Sequence, residues 1–255
     1  MNKLDPHFVI NAYEKETAVS KYVFAIDKIG LWESEKKVIS KFVKKSDNIL
    51  ELGCAAGRVS FNLYQLGYHN ISGIDLSRNM ILAARENAKK RNIKIDFQVD
   101  DAMNLSKPNN YYDCVLFMFN GLMLIPGIEN RIKVLKEIRR VLKNKGTFIF
   151  TSHDINGNKK YQNFWLEEKE KWLKGEYNHQ LYEYGDLIDA EIEENDSFIH
   201  FPSDEEIISM TTEQGYDVVF SDFRDNIAQE NQNIKDFCEN TKFWVLKKWV
   251  YRDLI

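Results

Sequence analysis

The chain has 255 residues, 44% of them apolar, so it is long enough to bury a substantial core in one domain. Its formal net charge is −4 at pH 7, which gives no overall attraction to nucleic acid or to an acidic membrane surface. We therefore predict a single domain, residues 1–255, with neither nucleic acid nor a membrane as its partner.

The cysteines and the N-terminus indicate a cellular compartment. Cys54, Cys114 and Cys238 are far apart and odd in number, and they form no Cys-x-x-Cys pair. This argues against a zinc site, a redox site or a disulfide framework, and we predict no metal. The first residues lack the apolar core of a signal peptide, and no run approaches the roughly 18 apolar residues of a membrane span. We expect a soluble, cytoplasmic protein with reduced thiols.

The first 45 residues have helical periodicity. Residues 8–29 place apolar side chains on one stripe of a single predicted helix, namely Val19, Tyr22, Val23, Ile26 and Ile29. Residues 34–43 predict a second amphipathic helix through Val38, Ile39, Phe42 and Val43. Both helices precede the first predicted strand.

From residue 48 onward, short apolar runs alternate with helical stretches. The predicted strands are residues 49–52, 71–74, 95–99, 114–119 and 147–151, and the clearest helices are residues 80–91 and 132–142. This alternation is typical of a parallel sheet covered by helices on both faces. Five strands are therefore predicted by residue 151.

The alternation is interrupted after residue 151. Residues 161–175 predict a helix with an aromatic stripe formed by Phe164, Trp165 and Trp172. We expect this stripe to pack on the sheet. The alternative is that one of the rings faces a substrate. Alternating Ile188, Ala190 and Ile192 predict a half-exposed antiparallel strand.

A capping box and two further strands complete the predicted elements. Ser203 and Glu206 have the spacing of a capping box at the start of a helix. Residues 215–220 and 243–246 are the last two predicted strands.

The most informative segment is the sequence ELGCAAG at residues 51–57, which joins an apolar strand to a helix through small residues. Such a turn lets a ligand approach the backbone closely. Ala55 and Arg58 stand where the dinucleotide fingerprint requires glycine, so a cradle for a diphosphate is disfavoured. A tight junction without a ligand is the alternative interpretation.

Carboxylates follow the next two predicted strands. Asp75 ends the second apolar run, where it can accept hydrogen bonds from both hydroxyls of a ribose, with Leu76 and Met80 as apolar cover for an adenine ring. Asp101 follows the third run and can accept from an adenine amino group, with Ala102 and Met103 beside it. The alternative for Asp75 is a helix cap, and for Asp101 it is a simple turn role or replacement by Asp100 in the same contact.

These motifs resemble those of a known family. ELGCAAG at residues 51–57 resembles the first motif of class I S-adenosylmethionine-dependent methyltransferases, and GIDLS at residues 73–77 and Asp101-Ala102 resemble the second and third. The resemblance covers residues 45–151. It departs at Ala55, where the family usually has glycine and where the extra methyl should narrow the site slightly.

The resemblance implies a set of site residues and a cofactor, S-adenosyl-L-methionine. The segment after the fourth strand is similar to that of small-molecule methyltransferases of the glycine N-methyltransferase type, so residues 117–120 would line the methionine part of the cofactor. The implied cofactor contacts are Tyr22, Glu51, Gly53, Cys54, Ala55, Gly57, Asp75, Leu76, Met80, Asp101, Ala102, Met103, Phe117, Phe119 and Asn120. The tetrapeptide of base-amino methyltransferases is absent after Phe119-Asn120, which disfavours DNA or glutamine methylation.

The resemblance also implies an architecture. We predict an α/β fold with a seven-stranded, doubly wound, mostly parallel sheet, an N-terminal helical lid and an insertion after strand five. In this division residues 1–45 are the lid, 46–151 the cofactor-binding half, 152–202 the substrate insertion and 203–255 the C-terminal strands.

The predicted reaction is methyl transfer to a nucleophilic N, O or C atom of a small molecule by in-line displacement. The enzyme must hold the nucleophile in line and exclude water, and it needs a general base only if the acceptor arrives protonated. His153 and Asp154 after the fifth strand are candidates for acceptor contact, with Tyr13 and Tyr22 as lid residues; His153 and Tyr13 are the candidate catalytic residues. A surface histidine without function is the alternative for His153.

Two charge clusters remain. The basic one is Arg131, Lys133, Lys136, Arg139, Arg140, Lys143 and Lys145, and the acidic one is Glu183, Asp186, Asp189, Glu191, Glu193, Glu194 and Asp196. We interpret the first as a solvated helix face and the second as the wet side of an edge strand. If the acidic run borders the cleft instead, it favours a cationic or amine acceptor.

The sequence leaves two alternative functions. It is also compatible with a homodimer. An rRNA or protein methyltransferase would use the same cofactor, whereas a non-catalytic S-adenosylmethionine-binding module would keep the fold without transfer. The acceptor, the methylated atom and the pathway are not predicted.

Overall fold

The computed structural model describes residues 2–189 and 197–249. The strands are β1 (Ile49–Leu52), β2 (Ile71–Asp75), β3 (Asp96–Val99), β4 (Tyr112–Phe117), β5 (Leu142–Ser152), β6 (Asp186–Asp189), β7 (Ser197–His200), β8 (Tyr216–Phe223) and β9 (Lys242–Lys248). The helices are α1 (Ile10–Tyr13), α2 (Glu16–Lys28), α3 (Glu33–Phe42), α4 (Arg58–Gln65), α5 (Arg78–Arg91), α6 (Ile128–Val141), α7 (Gln162–Lys174), α8 (Asp204–Glu213), α9 (Arg224–Ile227) and α10 (Gln232–Phe237).

The main sheet has seven strands in the order β3-β2-β1-β4-β5-β9-β8. Pairs from β3 through β5 are parallel, whereas β9 is antiparallel to both of its neighbours. The chain runs outward from β1 to β3 and then crosses back to start β4 on the other side of β1. This reversal leaves a crevice beyond the carboxyl ends of β1 and β4, where ligands of doubly wound sheets bind. The seven-stranded, mostly parallel α/β prediction is confirmed.

The buried core lies on both faces of this sheet. On one face, Val134 and Leu135 of α6 and Ile207 of α8 pack against strand residues. On the other face, Val38 of α3 and Val59 of α4 do the same. The short apolar runs are therefore buried on both sides, which explains why they read as continuous rather than alternating.

The N-terminal segment forms two helices instead of the single predicted helix at residues 8–29. The break lies at Glu14 and Lys15, since the Glu14 carboxylate accepts hydrogen bonds from the backbone N–H groups of Arg78 (2.6 Å) and Asn79 (3.4 Å). These donors belong to the first turn of α5, where no intrahelical acceptor exists. A contact distant in sequence thus overrides local helical periodicity.

The insertion after β5 differs from its prediction in two ways. Of the aromatic residues on α7, Trp165 is buried but Phe164 is exposed, and Trp165 contacts Phe201 and Tyr184 rather than a strand of the sheet. The predicted antiparallel strand begins earlier, as β6, which pairs with β7; its continuation through Ala190 and Ile192 lies outside the described residues.

The start of α8 shows half of the predicted capping box. Ser203 Oγ accepts from the Glu206 backbone N–H at 3.2 Å, but the Glu206 side chain binds His200 instead of closing the box. Across residues 2–189 and 197–249, no helix combines the length and apolarity needed to cross a bilayer.

Candidate functional site

The turn after β1 has the backbone of a close-approach site. Gly53, Ala55 and Gly57 all have positive φ, at 58°, 46° and 95°. A Cβ on Gly53 would lie 2.9 Å from the Phe117 ring, so glycine is required there by space as well as by conformation. Ala55 adopts the left-handed conformation with a side chain, which carries a strain that glycine would not.

Asp75 connects this turn to the end of β2. One carboxylate oxygen accepts from the Ala55 N–H and the other from the Ser77 N–H, both at 2.8 Å. Burial raises the pKa of Asp75 to about 6, although the two backbone donors act to lower it. Ser77, not Asp75, caps α5, because its Oγ accepts from Met80 N.

Asp101 lies at the end of the third strand and is held from two sides. Its Oδ1 accepts from the Met103 N–H at 2.8 Å, and its Oδ2 lies 2.9 Å from His7 Nε2. His7 comes from the N-terminal segment, 94 residues away in sequence. Asp101 therefore has the turn role that the sequence offered as an alternative. Its carboxylate also anchors the N-terminal segment over the crevice.

The chain after β4 is strained where it borders the crevice. Phe119 and Asn120 are consecutive residues with positive φ, at 56° and 61°. Gly121 follows under the ring of Phe117, and a Cβ on it would lie 2.1 Å from that ring. Strained backbone of this kind persists only where the surroundings hold it in place, and it is frequent at functional sites.

One cavity brings these segments together, with a volume of about 890 Å³ including the part open to solvent. Its floor is formed by the ends of β1 to β4 and its cover by the N-terminal segment, including Pro6, Val9 and Ile10. The rings of Tyr13 and Tyr22 lie 5.9 Å apart, and Tyr22 meets Phe119 edge-on at 6.3 Å. The strand ends and the N-terminal segment therefore enclose one concave site, the usual setting for a small-molecule or cofactor ligand.

The charge of the cavity lining indicates which kind of cofactor can bind there. Among the described residues that line it are three carboxylates, those of Asp75, Asp100 and Asp101, and no lysine or arginine. Such a lining repels a diphosphate and favours a ligand that carries positive charge and hydroxyl donors. S-adenosylmethionine has a sulfonium, an ammonium and two ribose hydroxyls, so the residues present fit it.

The predicted site residues divide into two groups. Those that line the cavity are Tyr13, Tyr22, Gly53, Ala55, Asp75, Leu76, Asp101, Ala102, Met103, Phe117 and Phe119. Those outside its lining are Glu51, Cys54, Gly57, Met80, Asn120 and His153. Sequence reasoning missed His7 and the other cover residues before Tyr13, because no local pattern connects them to a strand end.

Glu51 and Met80 lie beneath the cavity. Met80 is fully buried, and the Glu51 carboxylate accepts a hydrogen bond from Ser60 Oγ. Burial raises the pKa of Glu51 to about 7. Both side chains therefore support the turn and α5 from within the core.

His153 and Asn120 lie together beside the cavity. Asn120 Nδ2 is 3.1 Å from His153 Nε2, and burial lowers the pKa of His153 to about 4. His153 and Asp154 line a smaller, separate pocket together with Tyr161, Trp165, Phe201 and Glu239. His153 is half-buried with its ring stacked on Phe201, and its catalytic role stays a prediction.

Both charge clusters contribute to a buried network. Arg131 is fully buried and its Nη2 binds Glu183, while Glu206 Oε1 lies 3.5 Å from the same nitrogen. Asp186 is buried against His200 Nδ1 at 2.8 Å. The predictions of a solvated face and a wet strand edge are thus wrong for Arg131 and Asp186, because tertiary packing pairs Arg131 with Glu183 of the acidic cluster and Asp186 with His200.

Comparison with known proteins agrees with this site. A family model described as a methyltransferase domain matches residues 49–146. The chain is 26% identical over 113 residues to a ribosomal protein L11 methyltransferase of Dictyoglomus thermophilum, covering 44% of this chain but only 35% of that relative. It is also 26% identical over 191 residues to a demethylmenaquinone methyltransferase of Thermotoga maritima, covering 72% of this chain and 77% of the relative.

A solved structure shows the same fold. The structure of a SAM-dependent methyltransferase from Methanosarcina mazei matches with a TM-score of 0.67 at 21% identity, over 84% of this chain and 97% of that one. The domain match, the fold and the acidic cavity at the switch point agree on one assignment. Residues 49–146 therefore match a methyltransferase domain, the chain has the Rossmann-like fold of a solved SAM-dependent methyltransferase, and the cofactor that these matches imply is S-adenosylmethionine.

Proposed function

We propose that the protein transfers a methyl group from S-adenosylmethionine to a nucleophilic N, O or C atom of a small molecule. The observation that carries the proposal is the covered cavity, in which the N-terminal segment closes the crevice through the contact between His7 and Asp101. A covered site excludes water and suits an acceptor that enters whole, whereas a protein loop or an rRNA helix needs an open groove.

The cofactor-binding roles follow from the lining. Asp75 would accept from the ribose hydroxyls and Asp101 from the adenine amino group, while the turn at Gly53 and Ala55 would meet the amino-acid part. Phe117 and Phe119 would bound the methionine part, and Tyr13 and Tyr22 would shield it from solvent. When bound, the cofactor supplies a methyl group on a positively charged sulfur.

The contribution of the chain to the reaction would be positioning. The aromatic cover keeps water from the methyl group, and the acceptor is held in line from the side of Asn120 and His153. His153 is held neutral by burial, so it would contact the acceptor as a hydrogen-bonding group.

Incubation with cofactor labelled in the methyl group and a cell extract tests this function. We expect label in the fraction below about 3 kDa, a cut-off chosen because a small acceptor passes an ultrafiltration membrane that retains proteins and rRNA. Label confined to protein or RNA would contradict the small-molecule proposal. No label anywhere, with S-adenosylhomocysteine bound normally, would indicate a binding module.

A protein acceptor is the second candidate. It is favoured by the similarity to a ribosomal protein L11 methyltransferase, which covers 44% of this chain. Trypsin digestion of the labelled fraction separates this candidate, because label in a peptide requires a protein acceptor.

We also infer a cytoplasmic location. Cys54, Cys114 and Cys238 are all free and buried, as suits a chain that folds where thiols stay reduced.

A further inference from the structure

A broad depression lies at the edge of the main sheet opposite to the cofactor cavity. It has a volume of about 910 Å³ including the part open to solvent. Its walls come from the places where β4 and β5 begin and where α6 and β9 end. The cofactor cavity lies beyond the carboxyl ends of the parallel strands, so the two sites are at opposite ends of the sheet.

The lining of this depression is basic, in contrast to the acidic lining of the cofactor cavity. Among the described residues it consists of four lysine or arginine side chains, three asparagines and one tryptophan, with no carboxylate. Lys136 and Arg139 lie one turn apart on α6, and Lys248 comes from the end of β9. Like charges brought together in this way repel each other, and an anion bound between them relieves the repulsion.

The charge of Lys248 is held in place by neutral groups. Its Nζ donates to the Leu142 carbonyl at 2.6 Å and to Asn110 Oδ1 at 3.0 Å. Burial and the Arg139 guanidinium lower the pKa of Lys248. Within residues 2–189 and 197–249, neither Lys248 nor the exposed Lys136 forms an ion pair with a carboxylate, so both charges remain to attract an anion.

Two asparagine side chains in the lining have their oxygens on cations. Asn109 Oδ1 accepts from Arg140 Nη1 at 2.6 Å, and Asn110 Oδ1 accepts from Lys248 Nζ. With its oxygen engaged, each amide keeps its NH₂ group as a donor. Arg140 is itself paired with Glu137 through two hydrogen bonds of 2.9 and 2.7 Å, so it orients Asn109 and adds little net charge.

Trp249 adds an aromatic surface to these donors. Its side chain is 38% exposed and lines the depression. Its backbone N–H donates to the Gly215 carbonyl at 3.0 Å, which fixes the position of this residue after β9. An exposed indole ring offers a face on which a flat ring can stack.

We propose that this depression is a binding site for a small organic phosphate that carries a flat ring, such as a nucleoside monophosphate. The phosphate lies between the ammonium groups of Lys136 and Lys248. It also accepts hydrogen bonds from the amides of Asn109 and Asn110, while the ring stacks on Trp249.

The charge of the whole chain favours a small ligand over a nucleic acid. The net charge of −4 repels a long polyanion, whereas a single phosphate meets only the positive charge around the depression. The proposal does not depend on the methyl acceptor, because the cofactor cavity lies at the other end of the sheet.

Titration calorimetry at pH 7.5 and about 50 mM salt tests the site with three probes: inosine monophosphate, inosine and inorganic phosphate. We expect the monophosphate to bind about tenfold more tightly than inosine or phosphate, and to bind several times more weakly at about 300 mM salt. Its affinity should be the same with and without saturating S-adenosylhomocysteine, because the two sites are separate.

Three results would overturn the proposal. Equal binding of inosine and its monophosphate would mean that the phosphate is not recognised. Displacement of the monophosphate by S-adenosylhomocysteine would place it in the cofactor cavity. Tighter binding of an oligouridine than of the monophosphate would mean that the depression takes an RNA strand.

Variants locate the binding. Lys136→Gln should weaken the monophosphate about fivefold and leave inosine unchanged, because it removes the charge. Lys133→Gln is the matched control, since Lys133 is exposed on the same helix and lies outside the depression. Trp249→Ala should weaken the monophosphate about fivefold and leave inorganic phosphate unchanged, which separates the ring contact from the charge. A monophosphate affinity that neither variant lowers would refute the site, and S-adenosylhomocysteine binding reports that each variant is folded.

Discussion

At the scale of single residues, we expect Asp75 to govern cofactor affinity through its charge. Its pKa is raised to about 6, so the carboxylate is ionised at pH 7 and protonated progressively below pH 6. Only the ionised form could accept from two ribose hydroxyls, as proposed, while it also accepts from Ala55 and Ser77. Affinity for S-adenosylhomocysteine should therefore be constant above about pH 7 and fall as the pH drops through 6.

Substitution of Asp75 gives the matching test. Asp75→Ala should weaken S-adenosylhomocysteine by about 1–3 kcal/mol at pH 7.5, measured by calorimetry, through loss of charge-assisted hydrogen bonds. Asp217→Ala on the exposed side of β8 is the control. If Asp75→Ala binds S-adenosylhomocysteine as tightly as the control variant, Asp75 does not contribute to cofactor binding.

Ala55 is the residue at which this chain departs from the family motif, and its backbone conformation is strained for a residue with a side chain. With φ at 46°, Ala55→Gly should raise the free energy of unfolding by about 1 kcal/mol, because glycine adopts this conformation without strain. Ala56 is fully buried and is not among the residues with positive φ, so Ala56→Gly should instead destabilise the protein. Urea unfolding of both variants measures the difference; a loss of stability in Ala55→Gly would mean that the methyl group packs productively.

At the scale of elements, a charged network fastens the insertion to the core. His200 on β7 is fully buried, with its ring nitrogens 2.8 Å from Asp186 and 2.9 Å from Glu206, and Glu206 in turn faces Arg131 on α6. Burial and Arg131 act to lower the pKa of His200, but its hydrogen bonds to the two carboxylates raise it above the ordinary value. The imidazolium therefore stabilises the folded state at low and neutral pH.

The sign of this pH dependence follows from the raised pKa. The stability that His200 contributes should be fully present below its unfolded pKa of about 6.5 and be lost as the pH rises through its folded pKa. His200→Leu should cost about 3–5 kcal/mol at pH 6, because it leaves the buried Asp186 and the half-buried Glu206 without this partner, and less at pH 9. Urea unfolding at both pH values, with exposed His179→Leu as control, measures this; a cost independent of pH would mean that the imidazole is neutral.

At the scale of the whole molecule, residues 2–13 form a strap that joins the insertion to the cofactor cavity. Leu4 N donates to the Gln180 carbonyl at 3.1 Å, Tyr182 OH donates to the Leu4 carbonyl at 2.8 Å, and His7 holds Asp101. Closure over the cofactor and order in the insertion should therefore be coupled.

Deletion of residues 2–9 should weaken S-adenosylhomocysteine about tenfold, since part of the cavity cover is lost while the sheet remains intact. Calorimetry measures the affinity, and hydrogen exchange should show faster exchange near residues 180–182 in the shortened protein. Unchanged affinity would show that the strap is not part of the cofactor site.

The sequence by itself determined the cofactor-binding half. The run at residues 49–52 coincides with β1, and the positions of Gly53, Asp75 and Asp101 at strand ends follow from chain order and local apolar patterns. Only the tertiary structure decided the break at Glu14, the contact of His7 with Asp101, the pairing of Asn120 with His153 and the burial of Arg131. These contacts join residues up to 94 positions apart in the sequence. Neither periodicity nor motif spacing carries information about such pairs. They form because folding brings buried charged groups and hydrogen-bond donors next to groups that can pair with them.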